Sequence, residues 1–164
     1  MIEVITGIVL WLFVIDLGIA FGAGLYETRI VVPQWLGYSP ESGYRWNAEA
    51  ARQADVGLKF WVYATTVPLT LLTLASLAVA WWTQDVVRNW WLGAATAALI
   101  DRGMTFTYFV PTMIKLMRGD AFGESEAATR ALQWVRLGYI RQAANLVAWL
   151  AAMMAFWLMG RHVG

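Results

Sequence analysis

The sequence predicts an all-α fold: an antiparallel bundle of four transmembrane helices, with a long loop or amphipathic helix between the first and the second. Three observations carry that prediction. Of 164 residues, 60% are apolar, only 14% are charged and 11 are Trp; a soluble core of this chain length still leaves much of its area in water and cannot hide so much apolar surface. Two stretches carry no formal charge, 25 residues from Phe60 to Gln84 and 19 from Gln142 to Gly160. At ~1.5 Å of rise per residue they reach roughly 37 and 28 Å, enough for a ~30 Å hydrocarbon core. Two more apolar stretches, Ile2 to Tyr26 and Val87 to Met113, carry Glu3 and Arg88 at their starts and are broken near their middles by Asp16 and by Asp101-Arg102. Helices are expected at about 2–29, 56–82, 87–117 and 126–160, in one integral membrane domain over 1–164.

The first helix contains a 12-residue apolar run, Val4 to Ile15, near the start of the chain, but only Glu3 precedes it and the apolar pattern resumes after Asp16. Without a basic flank the run reads as a retained span rather than a secretion signal. Pro33 and Gly37-Tyr38-Ser39-Pro40 end this helix, and Pro40 to Asp55 reads as an amphipathic segment entered from a Ser39 cap. Such a segment lies on the membrane surface or lids the bundle. The short turn Thr83–Asn89 is flanked by Trp81, Trp82, Trp90 and Trp91, an interfacial aromatic belt. Gly119-Asp120-Ala121-Phe122-Gly123 breaks the chain before the fourth helix, whose first turn holds Glu124 and Glu126.

The same composition excludes several chemistries. With no Cys there are no disulfides, thiolate nucleophiles or Cys-ligated metals, and the lone His162 cannot supply paired haem ligands or a multi-His centre, so no metal site is expected. A net charge of +1 makes no case for nucleic acid. Arg29, Arg45, Arg52, Lys59, Lys115, Arg118, Arg130 and Arg136 cluster beside the connections after helices one and three, against Arg88 and Arg161 on the other side. By the positive-inside rule both termini face away from the cytoplasm, and a bacterial inner membrane is the expected location.

A step of about 100° per residue gives each helix one polar face. Asp16 and Glu27 share a small-residue face in helix one; Lys59, Tyr63, Thr66 and Thr70 line helix two; Asp101, Thr105, Tyr108 and Thr112 line helix three; Trp134, Gly138, Arg141 and Asn145 line helix four. A lipid-facing charge at the midplane costs about 2.5–3.5 kcal/mol, so Asp16, Asp101 and Arg102 are expected to turn inward as a structural ion-pair cluster. A pocket is expected above it at the cytoplasmic end, near Glu27, Lys59 and Arg141 and roofed by Trp35, Tyr44 and Trp46. Gly18 to Gly22 reads as a small-xxx-small packing element. Asp55 and Lys59 read as a helix-surface pair, and Asp120, Glu124 and Glu126 as a solvated loop.

The third and fourth helices resemble the anthrone oxygenase-like family of small four-helix membrane proteins. Thr105-Phe106-Thr107-Tyr108-Phe109-Val110-Pro111-Thr112 with Leu116 is similar to its Thr-x5-Pro-Thr-Asn-x2-Leu stretch, and Trp134-x6-Arg141 is similar to its last-helix Trp-x6-Arg. Arg88 with Trp91, and Gly22-x-Gly24-x-Tyr26-Glu27 before Pro33, also look like its pattern. Met113 stands where the family has Asn, and Gly138 where it has a polar residue, often His, which removes an obvious proton acceptor.

The resemblance implies oxidation of an activated aromatic carbon by dioxygen without metal or flavin. Glu27 would be the base; Arg141, Lys59 and Asn145 would hold the oxyanion; Trp134, Tyr63 and Tyr108 would sandwich the ring, with Thr105 and Thr112 lining the site. Three other roles stay open: a non-catalytic binder of a small hydrophobic or aromatic molecule, an accessory subunit of a membrane complex docked through Trp11, Trp149 and Trp157, and an ion pathway through Asp16, Asp101 and Arg102; the partner of the chain is either such a complex or a second copy in a homo-oligomer.

Overall fold

The computed structural model describes residues 2–41 and 43–161; His162 lies outside them. Its fold is all-α apart from one hairpin, and four helical rods make it up. The first comprises α1 (Ile2–Tyr26), a π-helical stretch (Glu27–Val31) and α2 (Val32–Trp35). The strands β1 (Leu36–Ser39) and β2 (Gly43–Trp46) and the short helix α3 (Ala48–Ala54) follow. The second rod joins a π-helical stretch (Gly57–Thr66) to α4 (Val67–Val79) and a closing 3-10 turn (Ala80–Trp82). The third is α5 (Asp85–Met104), a π stretch (Thr105–Phe109) and α6 (Val110–Arg118), and the fourth is α7 (Glu124–Arg161).

The rods close a ring in which α7 packs on α1 and α5, and α4 packs on the same two. Neighbours run antiparallel: Gly18 meets Trp149 while Gly24 meets Gln142, and Asp101 pairs with Arg141 while Phe109 packs on Trp134. Three helices, Glu3–Trp35, Gly57–Trp82 and Glu124–Arg161, are long and apolar enough to cross a membrane, which marks a membrane protein. The third rod is not among them, and it carries Arg88, Asp101 and Arg102 within α5.

The expected Ser39-capped segment over Pro40–Asp55 is corrected. Leu36–Ser39 instead pairs antiparallel with Gly43–Trp46, setting Tyr38 opposite Tyr44 with ring centroids 5.0 Å apart. Gly43 takes φ 72°, a left-handed conformation that a side chain would strain. The helix begins only after Asn47, whose Oδ1 accepts the Ala50 N–H at 2.9 Å.

The rods also run through their prolines. Pro33, Pro68 and Pro111 each follow a π stretch, and the residue before each donates its N–H five residues back: Val32 to Glu27 O, Val67 to Val62 O, Val110 to Thr105 O. Inside an α-helix, proline lacks an N–H and its ring strikes the carbonyl four residues earlier. A wider turn at that carbonyl relieves the clash, so the chain continues instead of breaking. The first helix therefore reaches Trp35, not residue 29.

Two apolar clusters fill the bundle. One lies at the end of the termini, with Leu10, Phe13, Leu69 and Trp91 among small Ala side chains, and the other lies under the hairpin, with Val32, Trp35, Phe109 and Trp134. The small face of α1 lets α7 approach closely, through Gly18 and Gly24 rather than the expected Gly18–Gly22 pair. A Cβ on Gly18 would sit 3.1 Å from the Trp149 indole, whereas one on Gly22 would have nothing within 4 Å. Gly18→Val is expected to lose about 1–3 kcal/mol by overpacking, and Gly22→Ala to stay within about 0.5 kcal/mol of the parent. Thermal unfolding in detergent measures both, and equal midpoints for the two variants would overturn the packing account.

Candidate functional site

A polar layer separates the two apolar clusters, and the π stretches supply much of it. Glu27, in the first, is buried and its Oε1 accepts the Trp61 indole N–H from the second at 2.7 Å. Asp101 and Arg102 sit at the end of α5, where the Arg102 guanidinium donates to Asp101 Oδ2 through Nε at 3.1 Å and through Nη2. The other carboxylate oxygen, Oδ1, lies 3.8 Å from Arg141 Nε. One acid thus stands between two cations, all three nearly closed to solvent.

Arg141 is held on its other sides by an aromatic and an acid. Its Cζ lies 4.1 Å from the Phe109 ring centroid, within cation–π range. Trp134 packs edge-on to the same ring at 5.4 Å and donates its indole N–H to the Phe109 carbonyl at 3.2 Å. Glu27 and Arg141 lie within electrostatic range of each other. Thr105 donates to Asp101 O at 2.9 Å, while Gln142 occupies the space that Gly24 leaves by having no side chain. Among the described residues no donor reaches Gln142 Oε1 or Asn145 Oδ1, although both residues are buried.

The layer therefore brings together Glu27, Thr105, Trp134, Arg141 and Asn145 of the expected site, with Asp101 and Arg102. Asp16 is buried but does not join the expected pair: Arg102 bonds Asp101 and acts on Asp16 only at a distance, and no donor among the described residues reaches either Asp16 oxygen. Tyr108 lies beside the layer, edge-on to Phe109 at 5.2 Å, and Thr112 is half-buried one turn further along.

Two expected site residues stand outside. Tyr63 is 77% exposed, and Lys59 points away to donate to the Gln53 and Ala54 carbonyls at 3.0 and 3.2 Å, capping the end of α3. The 100° step placed them inward; a π turn uses more residues per turn, and ten residues of it leave Trp61 half-buried and Thr65 buried instead, with Leu69 and Thr73 buried on α4 beyond. Trp61 and Phe109 are the residues that the stripe reading missed. Their aromatic character was visible, but only the widened turns direct them inward.

The roof matches the expectation in part. Trp35 is buried and packs edge-on to Trp46 at 6.0 Å, and Trp46 donates to Leu116 O at 3.0 Å. Tyr44 is exposed. Above them, Gln53 and Arg52 both donate to Glu49, holding its carboxyl below the usual value. Arg45 reaches Glu124 at 3.1 Å, tying the hairpin to the start of α7.

No family model, no curated protein and no solved structure matches the chain. Asp101→Ala is expected to cost about 3–5 kcal/mol, since it leaves Arg102 and Arg141 buried without their shared acid. Lys59→Ala, which removes only a carbonyl cap at an exposed helix end, is expected to cost about 0.3–1 kcal/mol. Unfolding midpoints in detergent decide it, and a mild Asp101→Ala would mean that the layer is not held by this acid.

Proposed function

We propose that this membrane protein crosses the bilayer four times and binds a planar, oxyanion-bearing aromatic or quinol-type molecule in its polar layer, oxidising it with O2 as the resemblance to the anthrone oxygenase-like family implies. One observation carries the reading: Arg141, its Cζ over the Phe109 ring beside Trp134, lies within electrostatic range of Glu27 in a buried layer. A guanidinium stacked on aromatic rings suits an anionic flat ligand. Glu27 is the group able to take a proton.

With an anthrone-type substrate, a ring CH2 gives its proton to Glu27, and the carbanion left behind is stabilised as an enolate by Arg141; a quinol, which has no ring CH2, would instead pass two hydrogens to O2 and leave as a quinone with hydrogen peroxide. The carbanion passes one electron to O2, and the resulting radical pair closes a C–O bond. The peroxide takes the proton back and loses water. One O2 is consumed, and one C=O and one water are formed. Lys59 and Tyr63, given roles from the sequence, have none in this scheme. Binding without chemistry is the second reading; Gln142 Oε1 and Asn145 Oδ1, buried oxygens that no donor reaches among the described residues, favour it as acceptors for a ligand's hydrogen bonds.

Oxygen uptake with an anthrone or hydroquinone tests the reaction. Glu27→Gln is expected to lower the rate about 10²–10⁴-fold, and Arg141→Ala similarly, while Lys59→Ala and Tyr63→Phe keep it. Ligand retention with no uptake across a panel of such aromatics would leave binding alone, and neither retention nor uptake would refute both readings.

Four crossings need the third rod to span despite its charges, and the inward turn of Asp101 and Arg102 supports this. The basic residues near the hairpin support an orientation with that end in the cytoplasm of a bacterial inner membrane and both termini opposite. In this cysteine-free chain, Tyr38→Cys is expected to react with an impermeant thiol reagent from the cytoplasmic side and Gln84→Cys from the other. Labelling of both from one side would refute the orientation.

A further inference from the structure

At the end of the termini, a groove of about 570 Å³ runs between α1 and α7 on the outer wall of the bundle. Trp11, Ile15, Met153, Phe156 and Trp157 line it, and all are outward-facing. Its mouth is different. Gly160 leaves open space there, and beside it Arg161 lies over the Trp157 ring at 4.7 Å. Among the described residues no carboxylate pairs with Arg161, whereas Arg88, also at this end, is engaged by Asp85.

We propose that this groove is a binding site for one anionic phospholipid, an acyl chain lying along the aromatic wall and the phosphate held by Arg161. An apolar trough ending in one unspent guanidinium at the depth of an interfacial Trp matches an acyl chain followed by a phosphodiester. A second copy of the chain fits less well: a two-fold contact through this face would bring two Arg161 side chains to the same end of a buried interface. Glu3, in the first turn of α1 at this end, has no ion pair among the described residues, unlike Asp85, and its charge would oppose the phosphate.

The full-length protein, purified after exposure to equal amounts of phosphatidylglycerol and phosphatidylcholine, is examined by native mass spectrometry. The parent is expected to keep one phosphatidylglycerol in preference to phosphatidylcholine. Arg161→Gln is expected to lower that preference about fivefold, as removal of one interfacial cation should; Glu3→Gln should raise it. Ile15→Trp, which fills the groove from an outward position, should reduce retention of both lipids. Arg118→Gln, at the opposite basic end, controls for general attraction of anionic lipid and should leave this preference unchanged.

Equal retention of the two lipids by the parent, an unchanged preference in Arg161→Gln, or two copies per particle that separate in Ile15→Trp would each overturn the proposal. Arg141→Ala should leave lipid retention untouched, so the groove and the polar layer stand or fall separately.

Discussion

Asp101 shares its carboxylate between Arg102 and Arg141, and the middle of the bundle depends on that sharing. Two guanidinium groups buried side by side repel each other and have lost their hydration. One acid between them supplies attraction to both and hydrogen bonds to Arg102. Because Arg102 and Asp101 come from α5 and Arg141 from α7, the interaction also fixes how those two rods meet. Arg141 is thereby held over Phe109, and the site's one cation–aromatic stack becomes possible.

The three proline-linked π stretches act at the same level. Glu27, the first residue of its π stretch, keeps the direction that the α step of α1 gives it, but in a regular α-helix Trp61 and Phe109 would take other directions around their rods, because the angle between successive side chains is larger. The wide turns that accommodate Pro68 and Pro111 bring these two side chains inward. α7, which runs from Glu124 to Arg161 as α-helix throughout, carries Trp134, Arg141, Gln142 and Asn145 on one face as its spacing alone dictates. A distorted set of three rods therefore faces one regular rod, and the polar layer lies between them. Helical segments of this kind recur at functional sites because they turn a side chain without breaking the helix.

The contrast between α7 and the second rod explains how far the site could be read. On α7 and α5, the stripes through Asn145 and Asp101 fall inward as their spacing says, because those segments keep the ordinary α step. On the second rod, the stripe through Lys59 and Tyr63 fails, because the step is not the one that the stripe assumes. Asp16 fails for another reason: its inward face was legible, but the preference of Arg102 for the adjacent Asp101 depends on side-chain reach.

Composition and uncharged length by themselves determined the class, a helical protein with apolar rods, since apolar side chains and satisfied backbone groups in lipid leave helices as the economical solution. They also determined that buried charges would turn inward and that α7 would present Trp134 and Arg141 together. Only the tertiary structure decided the hairpin between β1 and β2, the partner of Asp101 and the inward turn of Trp61. The hairpin closes through a left-handed turn at Gly43, Asp101 is reached by its neighbour Arg102 and by Arg141 from another rod, and Trp61 follows a helical step that changes where proline interrupts the hydrogen-bond ladder; none of these is encoded in local periodicity.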